Sequence, residues 1–126
     1  MLTDEEIDAA KKRTIYTEQV HHEHNDCIRM AYEWFDAQTK LKAVNHRTLR
    51  PLKHVIEQWA GRYVSRSDVD VAAAMHPEIR GKYPYFNLSA RWVRPSDRRL
   101  EGIGEALTQG YRERFKEEET YAVAED

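Results

Sequence analysis

Apolar side chains recur at helical spacing between residues 18 and 42. At about 100° per residue, one face of this segment collects Val20, His24, Cys27, Ile28, Ala31, Trp34, Phe35 and Gln38. The opposite face is polar and carries the pairs Arg29/Glu33 and Asp36/Lys40, whose opposite charges lie four residues apart. The pattern predicts an amphipathic helix over about residues 18–42.

A second apolar stripe follows Pro51. Its apolar residues repeat at intervals of three and four positions, which is typical of a helix with one buried face. They are Leu52, Val55, Ile56, Trp59 and Ala60. Pro51 suits the first turn of a helix, because its missing N–H would have no partner there. Gly61 suits the position just after a helix. This segment predicts a short helix that packs against the first one.

Two capping signals mark further helix starts. Thr3 with Glu6 and Ser65 with Asp68 both have the spacing of a capping box. The first predicts a helix from about residue 4, which either breaks near residues 14–17 or continues into the next segment. The second predicts a short helix with alanines on one side that stops before Pro77.

The remaining segments are less regular. Prolines and Gly81 predict a loop over residues 77–86. Residues 86–93 fit a helix, which we favour slightly, but Phe86, Leu88 and Trp92 also alternate as in a strand. Ser96 is a candidate cap for one more turn. Residues 109–119 predict a charged helix, and residues 122–126 a frayed end.

These elements together predict a mainly α protein with four to six helices and allow a small β-hairpin near residues 83–93. At 126 residues, the chain is expected to form one compact domain. It divides into helical support (1–61), a basic helix–loop–helix or strand region (62–104) and an acidic C-terminal helix and tail (105–126). The predicted core consists of Val20, Ile28, Ala31, Trp34, Phe35, Leu52, Val55, Ile56, Trp59, Val69 and Ala73.

Charge is unevenly distributed, although the net charge is only −2. Residues 62–99 hold eight Lys and Arg against four Asp and Glu, whereas residues 100–126 hold three against eight. A basic middle with an acidic tail is an asymmetry found in polyanion-binding proteins. A single cysteine, Cys27, excludes an intrachain disulfide and favours a reducing compartment. Without a signal peptide or a long apolar run, we expect a cytoplasmic protein and no membrane partner.

The basic segment suggests a non-enzymatic nucleic-acid-binding or transcription-regulatory protein, with duplex DNA as the favoured partner. Asn, Ser and Arg are residue types that read bases, and further cations bind phosphates. The candidate binding residues are Arg80, Lys82, Tyr85, Asn87, Ser89, Arg91, Arg94, Arg98 and Arg99. Residues 67–76 are the predicted supporting helix of a helix–turn–helix-like unit, and residues 87–94 are predicted to present Asn87, Ser89 and Arg91. The stretch YVSRSDVDVAA, residues 63–73, resembles the supporting helix of small winged-helix regulators without identifying a family.

Two alternatives remain open. Tyr, Trp and Arg are frequent at interface hot spots, so a small protein-binding inhibitor or adaptor is the second hypothesis, and a homodimer is compatible with either. The cluster of His21, His22 and His24 with Asp26 and Cys27 is a weaker candidate for a zinc or nickel site. Because the chain has no nucleophile elbow or glycine-rich phosphate loop, we expect neither catalysis nor a cofactor.

Overall fold

The computed structural model describes residues 1–47, 50–114 and 116–126. Its α-helices are α1 (Asp4–Arg13), α2 (Asn25–Ala37), α3 (Leu52–Ala60), α4 (Arg66–Met75) and the single turn α5 (Glu117–Thr120). Its strands are β1 (Gly81–Lys82), β2 (Tyr85–Phe86), β3 (Val93–Arg94) and β4 (Val123–Ala124), and two 3-10 helices cover Asp97–Leu100 and Gly110–Arg114. The prediction of a mainly α protein with a small hairpin is confirmed.

Both predicted capping boxes are present. Thr3 Oγ1 accepts a hydrogen bond from Glu6 N at 3.1 Å, and Glu6 Oε1 accepts one from Thr3 N at 3.0 Å. Ser65 and Asp68 exchange the equivalent bonds at the start of α4. At the end of α3, Gly61 adopts a left-handed backbone conformation with φ 66°, which residues other than glycine rarely adopt. The local signals therefore located these helix ends correctly.

The core lies mainly between α2 and α4, with α3 and α1 packed around them. The predicted core is confirmed for Ile28, Ala31, Trp34, Phe35, Leu52, Val55, Ile56, Trp59, Val69 and Ala73, all of which are buried. Val20 is the exception, because its side chain is 52% exposed.

Helix α2 is shorter than predicted, and this explains the error at Val20. The segment 14–24 is irregular because side chains of α4 bind its backbone N–H groups. His21 N donates to Ser67 Oγ at 2.9 Å, and Glu23 N donates to Asp68 Oδ2 at 3.2 Å. Helix α2 begins only after His24, whose Nδ1 accepts from Asp26 N.

The helix favoured over residues 86–93 is wrong, and the strand alternative is closer to the structure. Strands β1 and β2 form an antiparallel hairpin that includes a cis peptide bond between Tyr83 and Pro84. The chain then continues without a helix through bends at residues 87, 90 and 91, with Phe86, Leu88 and Trp92 buried in the core. Leu88 bridges to Lys40, and β3 follows. The helix–turn–helix-like prediction fails here, because no helix follows α4 within residues 77–96.

The C-terminal predictions are also corrected. Instead of one helix over 109–119 there is a 3-10 helix and the single turn α5, with Phe115 outside the described residues. The end of the chain is ordered rather than frayed, because β4 pairs in parallel with β3. Ala122 N donates to Trp92 O at 3.0 Å, and Glu125 N donates to Arg94 O at 2.9 Å. These bonds place the acidic tail beside the basic segment.

Among the described residues, no helix has the length and apolar character needed to cross a membrane.

Candidate functional site

The chain contains two long stretches without any acidic residue, and the structure brings them together. Residues 37–56 carry five Lys and Arg, and residues 79–96 carry four, with no Asp or Glu in either. Leu41 N donates to Asn87 O at 2.7 Å, and Ser89 N donates to Thr39 O at 2.9 Å. Asn45 N donates to Phe86 O at 2.9 Å. Because both stretches are basic, their pairing concentrates positive charge on one part of the surface.

The cations of this region fall into two groups. The first group is exposed and, within the described residues, forms no ion pair. It consists of Lys42, Arg47, Arg80, Lys82 and Arg91. Below, these five side chains are called the basic surface. Arg80 Nη2 donates to the Lys42 carbonyl at 2.6 Å, a bond that joins the two stretches and leaves the charge of the guanidinium uncompensated. Lys40 and Arg50 lie beside them, but Lys40 binds the Asp36 carbonyl and Arg50 lies near Glu119.

One aromatic pair accompanies the basic surface. The side chain of Tyr85 is 41% exposed, and its ring centroid lies 5.4 Å from that of His46. Lys82 is its cross-strand partner in the hairpin. An exposed ring next to free cations is the combination on which unpaired bases stack in single-strand-binding proteins.

Trp92, by contrast, is a core residue. It is only 8% exposed, and its ring meets the Trp34 ring edge to face at a centroid distance of 5.5 Å. Trp92, near the end of the predicted presenting segment, therefore belongs to the packing of the core.

The structure removes Asn87 from the set of candidate base-reading residues. Its side chain is 1% exposed. Asn87 Oδ1 accepts from Arg80 N at 2.6 Å, while Nδ2 donates to the carbonyls of Leu41 and Glu78 at 3.0 and 2.9 Å. Each of these bonds fixes the backbone of a segment that carries the basic surface. Asn87 is therefore a positioning residue, because its buried side chain is already hydrogen-bonded to the backbone and does not face a bound base.

Ser89 has a similar local role. It is partly buried, and its Oγ accepts a hydrogen bond from Arg91 N at 3.2 Å. This bond holds the backbone turn from which the Arg91 side chain extends.

Arg94 and Arg99 were predicted to bind phosphate, but acidic side chains already occupy them. Arg99 binds Glu125, Glu33 and Asp36 at distances from 2.5 to 3.0 Å. The hydrogen bond to Glu125 is the main reason why the pKa of Arg99 lies above its ordinary value. Arg94 donates to Glu117 and Asp97, both at 3.0 Å. Burial opposes the charge of Arg94, but the hydrogen bonds and charges of Glu117 and Asp97 together outweigh it and raise the pKa of Arg94.

Arg98 differs from its neighbour Arg99. It is exposed, and within the described chain its side chain forms no ion pair. It lies in the turn Asp97–Leu100 next to Asp97 and close to Glu101. Of the nine candidate residues, the structure thus brings Arg80, Lys82 and Tyr85 together on the hairpin, with Arg91 exposed further along the same acid-free stretch. Asn87 and Ser89 support the backbone, Arg94 and Arg99 are paired with acidic side chains, and Arg98 is exposed beside Asp97.

The histidine cluster does not converge on one point. His21 Nε2 lies 2.8 Å from Glu23, and His22 Nδ1 lies 2.8 Å from Asp68. His24 caps α2, and the buried Cys27 thiol donates to the Tyr63 carbonyl. Burial raises the pKa of this thiol to about 12, which disfavours the thiolate that binds metal. In the described part of the chain, no group of three or more His, Cys, Asp or Glu side chains is arranged to hold a metal ion.

Sequence reasoning missed Lys42 and Arg47, which lie outside the segment 62–104 that it favoured. The signal was visible as the run from residue 37 to residue 56, which is basic and contains no acidic residue. Only the pairing of this run with residues 85–89 shows that both belong to one surface.

No protein-family model matches this chain, and the searches of curated proteins and solved structures found no significant match.

Proposed function

We propose that this protein binds nucleic acid through the basic surface, with Tyr85 as a stacking platform and single-stranded DNA preferred over duplex DNA. The observation that carries the proposal is the pairing of two acid-free stretches, which exposes Lys42, Arg47, Arg80, Lys82 and Arg91 without carboxylate partners in the described chain. Unpaired cations on one face attract phosphates and release counterions from the nucleic acid when they bind.

The preference for single strands follows from the shape of the surface. The basic residues lie on irregular segments and on a β-hairpin with two-residue strands, so within the described residues the surface presents no helix to a major groove. Tyr85 is exposed among them, and an unpaired base is needed to stack on its ring. Duplex DNA, favoured from the sequence, is the comparison in the experiment. A role in transcription remains a prediction.

The test is fluorescence anisotropy with labelled single-stranded and duplex DNA at a series of salt concentrations. For the wild type we expect tighter binding to the single strand and a slope of log K against log salt of about −3, since each phosphate contact on a single strand contributes about −0.7. The double variant Lys42→Gln with Arg91→Gln should lose about tenfold in affinity and reduce the magnitude of the slope by about 1.4.

The matched control is Arg98→Gln with Lys116→Gln. It removes the same charge from exposed cations that lie next to acidic residues in the sequence, and we expect an affinity within about twofold of the wild type. No binding of either DNA at low salt would refute the proposal and make a protein partner the leading hypothesis. Equal losses in the two double variants would show that net charge, and not this surface, determines binding.

A further inference from the structure

A cavity of about 330 Å³ lies between the end of α1, one side of α4 and the β1–β2 hairpin. Its volume is within the range of small-molecule sites in proteins. Ala73 and Ala74 of α4 line one side, and Tyr83 and Phe86 contribute aromatic rings. Arg13 and Lys82 also line it, and both are exposed cations without an ion pair within the described residues. Lys82 belongs to the basic surface, so the cavity adjoins it.

The cavity contains one buried carboxylate with an unused oxygen. Asp70 is 6% exposed, and its Oδ2 accepts hydrogen bonds from Thr17 N and Thr17 Oγ1 at 3.0 and 2.9 Å. Within the described residues, Oδ1 accepts none. No completely buried side-chain oxygen of the described chain lacks a partner, so Oδ1 keeps some exposure, and Asp70 is one of the residues that line the cavity.

The chemistry of the walls defines the ligand. A buried carboxylate oxygen needs a hydrogen bond from an N–H donor. The methyl groups and aromatic rings favour a flat apolar group, and the cations favour an anionic group. Burial raises the pKa of Asp70, which agrees with a carboxylate that has lost water without gaining a full set of protein donors. A nucleotide whose base carries an amino group supplies all three features.

We propose that this cavity binds a single unpaired nucleobase through its amino group, which donates to Asp70 Oδ1, while the attached phosphate lies near Lys82 and Arg13. The inference rests on the proposed function where the base belongs to a bound strand. Cytosine and thymine provide the sharpest comparison, because they share a ring size but differ in having an amino donor or a carbonyl acceptor at the same position. The site therefore favours cytosine.

The experiment compares short oligonucleotides of deoxycytidine and deoxythymidine by anisotropy. The wild type should bind the cytosine strand about tenfold more tightly. Asp70→Asn keeps the shape of the side chain and can still accept from Thr17 while turning its amide N–H₂ to the cavity. It should abolish or invert the preference, because the amide N–H₂ donates to the carbonyl of thymine and no longer accepts from the amino group of cytosine.

A second variant provides an independent test if Asp70→Asn does not fold. Ala74 lines the cavity but lies at an exposed helical position, so Ala74→Leu fills the site with a good helix former. It should also abolish the preference, with an unchanged thermal midpoint. Equal binding of both strands by the wild type, or a preference that survives both variants, would overturn the inference.

Titration with free deoxycytidine monophosphate separates the two sources of the base and the two proposals. If no DNA binds but the mononucleotide does, and Asp70→Asn prevents it, the cavity is a nucleotide site and the proposed nucleic-acid function is wrong. If the strands bind but show no dependence on Asp70, the proposed function stands and the cavity site is wrong. If the mononucleotide competes with the cytosine strand only in the wild type, the cavity accepts the base from either source.

Discussion

Two neighbouring regions of this protein look alike in sequence and differ in what the fold does with them. Residues 80–91 and residues 94–99 each hold three basic side chains. In the first, the charges of Arg80 and Arg91 are exposed and no carboxylate meets them within the described chain. In the second, Arg94 and Arg99 are bound by Glu117, Glu125, Glu33 and Asp36. A positively charged sequence predicts a binding surface only where the fold does not supply its own anions.

The partner of each region explains the difference. The first pairs with residues 39–45, which contain only basic charges. The second pairs with the C-terminal tail, whose strand β4 lies against β3 and sets Glu125 beside Arg99. We therefore expect substitutions in the second region to affect stability and substitutions in the first to affect binding.

The largest expected effect is that of Arg99→Ala on stability. The substitution leaves Glu33, Asp36 and Glu125 close together without their shared cation. Since the Arg99 side chain is about one-fifth exposed, solvent screens part of the loss. We expect the free energy of unfolding to fall by about 2 kcal/mol, measured by urea denaturation.

Arg98→Ala is the control for this prediction. It removes the adjacent arginine, which is exposed and forms no ion pair in the described chain. Its effect should remain within about 0.5 kcal/mol of zero. Equal losses in the two variants would contradict the distinction between the regions.

The second prediction concerns the pH dependence of this stability difference. The hydrogen bond from Arg99 is the main cause that lowers the pKa of Glu125. Burial opposes the lowering at Asp36, but hydrogen bonds from His76 and Arg99 prevail and its pKa also falls. A carboxyl whose pKa is lower in the folded state stabilises the protein above the pKa of the unfolded state, and this contribution is lost as pH falls through the folded pKa.

The difference in unfolding free energy between the wild type and Arg99→Ala should therefore have its full size at neutral pH. It should begin to shrink as pH falls below the ordinary values of 4.5 for Glu and 3.8 for Asp and should continue to shrink at lower pH. Urea denaturation of both proteins across this range measures it. A gap that widens on acidification would show that these carboxylates do not depend on Arg99.

The helices were predictable because their signals are local. A helix cap or an apolar stripe depends only on residues a few positions apart. The helices that begin after Thr3 and Ser65 and the helix that contains Trp59 were therefore located correctly. The segment 18–24 was wrongly predicted to be helical because Ser67 and Asp68, more than 40 residues away, bind its backbone.

The candidate site was predicted only in part, for the same reason. Lys82, Tyr85 and Arg91 were identified by residue type and are exposed. The burial of Asn87 depends on its contacts with Leu41 and Glu78, and the pairing of Arg99 with Glu33 crosses 66 positions. Composition reveals the charges of a chain, whereas the fold determines which of them meet.

The third prediction tests the aromatic side chains of the two regions. Tyr85 of the first region is exposed, whereas Tyr121 accepts a hydrogen bond from Trp34 Nε1 at 2.8 Å and burial raises its pKa. Tyr85→Ala should weaken single-stranded DNA binding about tenfold with little loss of stability. Tyr85→Phe, which keeps the ring, should bind within about twofold of the wild type. A loss in duplex binding as large as the loss in single-strand binding would contradict stacking of unpaired bases.

The smallest expected effect comes from removing acidic partners of the arginines in the second region, so that these arginines resemble those of the first region. In the double variant Glu117→Gln with Glu125→Gln, Arg94 loses Glu117 and Arg99 loses Glu125. The two arginines then become partly available to phosphate. Because Asp97, Glu33 and Asp36 still hold them in part, we expect only about a threefold gain in affinity for single-stranded DNA, with a slightly steeper dependence on salt. Anisotropy in the same salt series measures both.

The control for this gain must change net charge without releasing an arginine. Glu101→Gln with Glu113→Gln meets this condition, since both side chains are exposed and neither forms an ion pair in the described residues. Long-range attraction alone would raise the affinity of the two double variants equally and would make the local pairing irrelevant. A gain confined to Glu117→Gln with Glu125→Gln would show that the acidic tail keeps Arg94 and Arg99 from acting as Arg91 does, and that the two regions differ by their partners and not by their own residues.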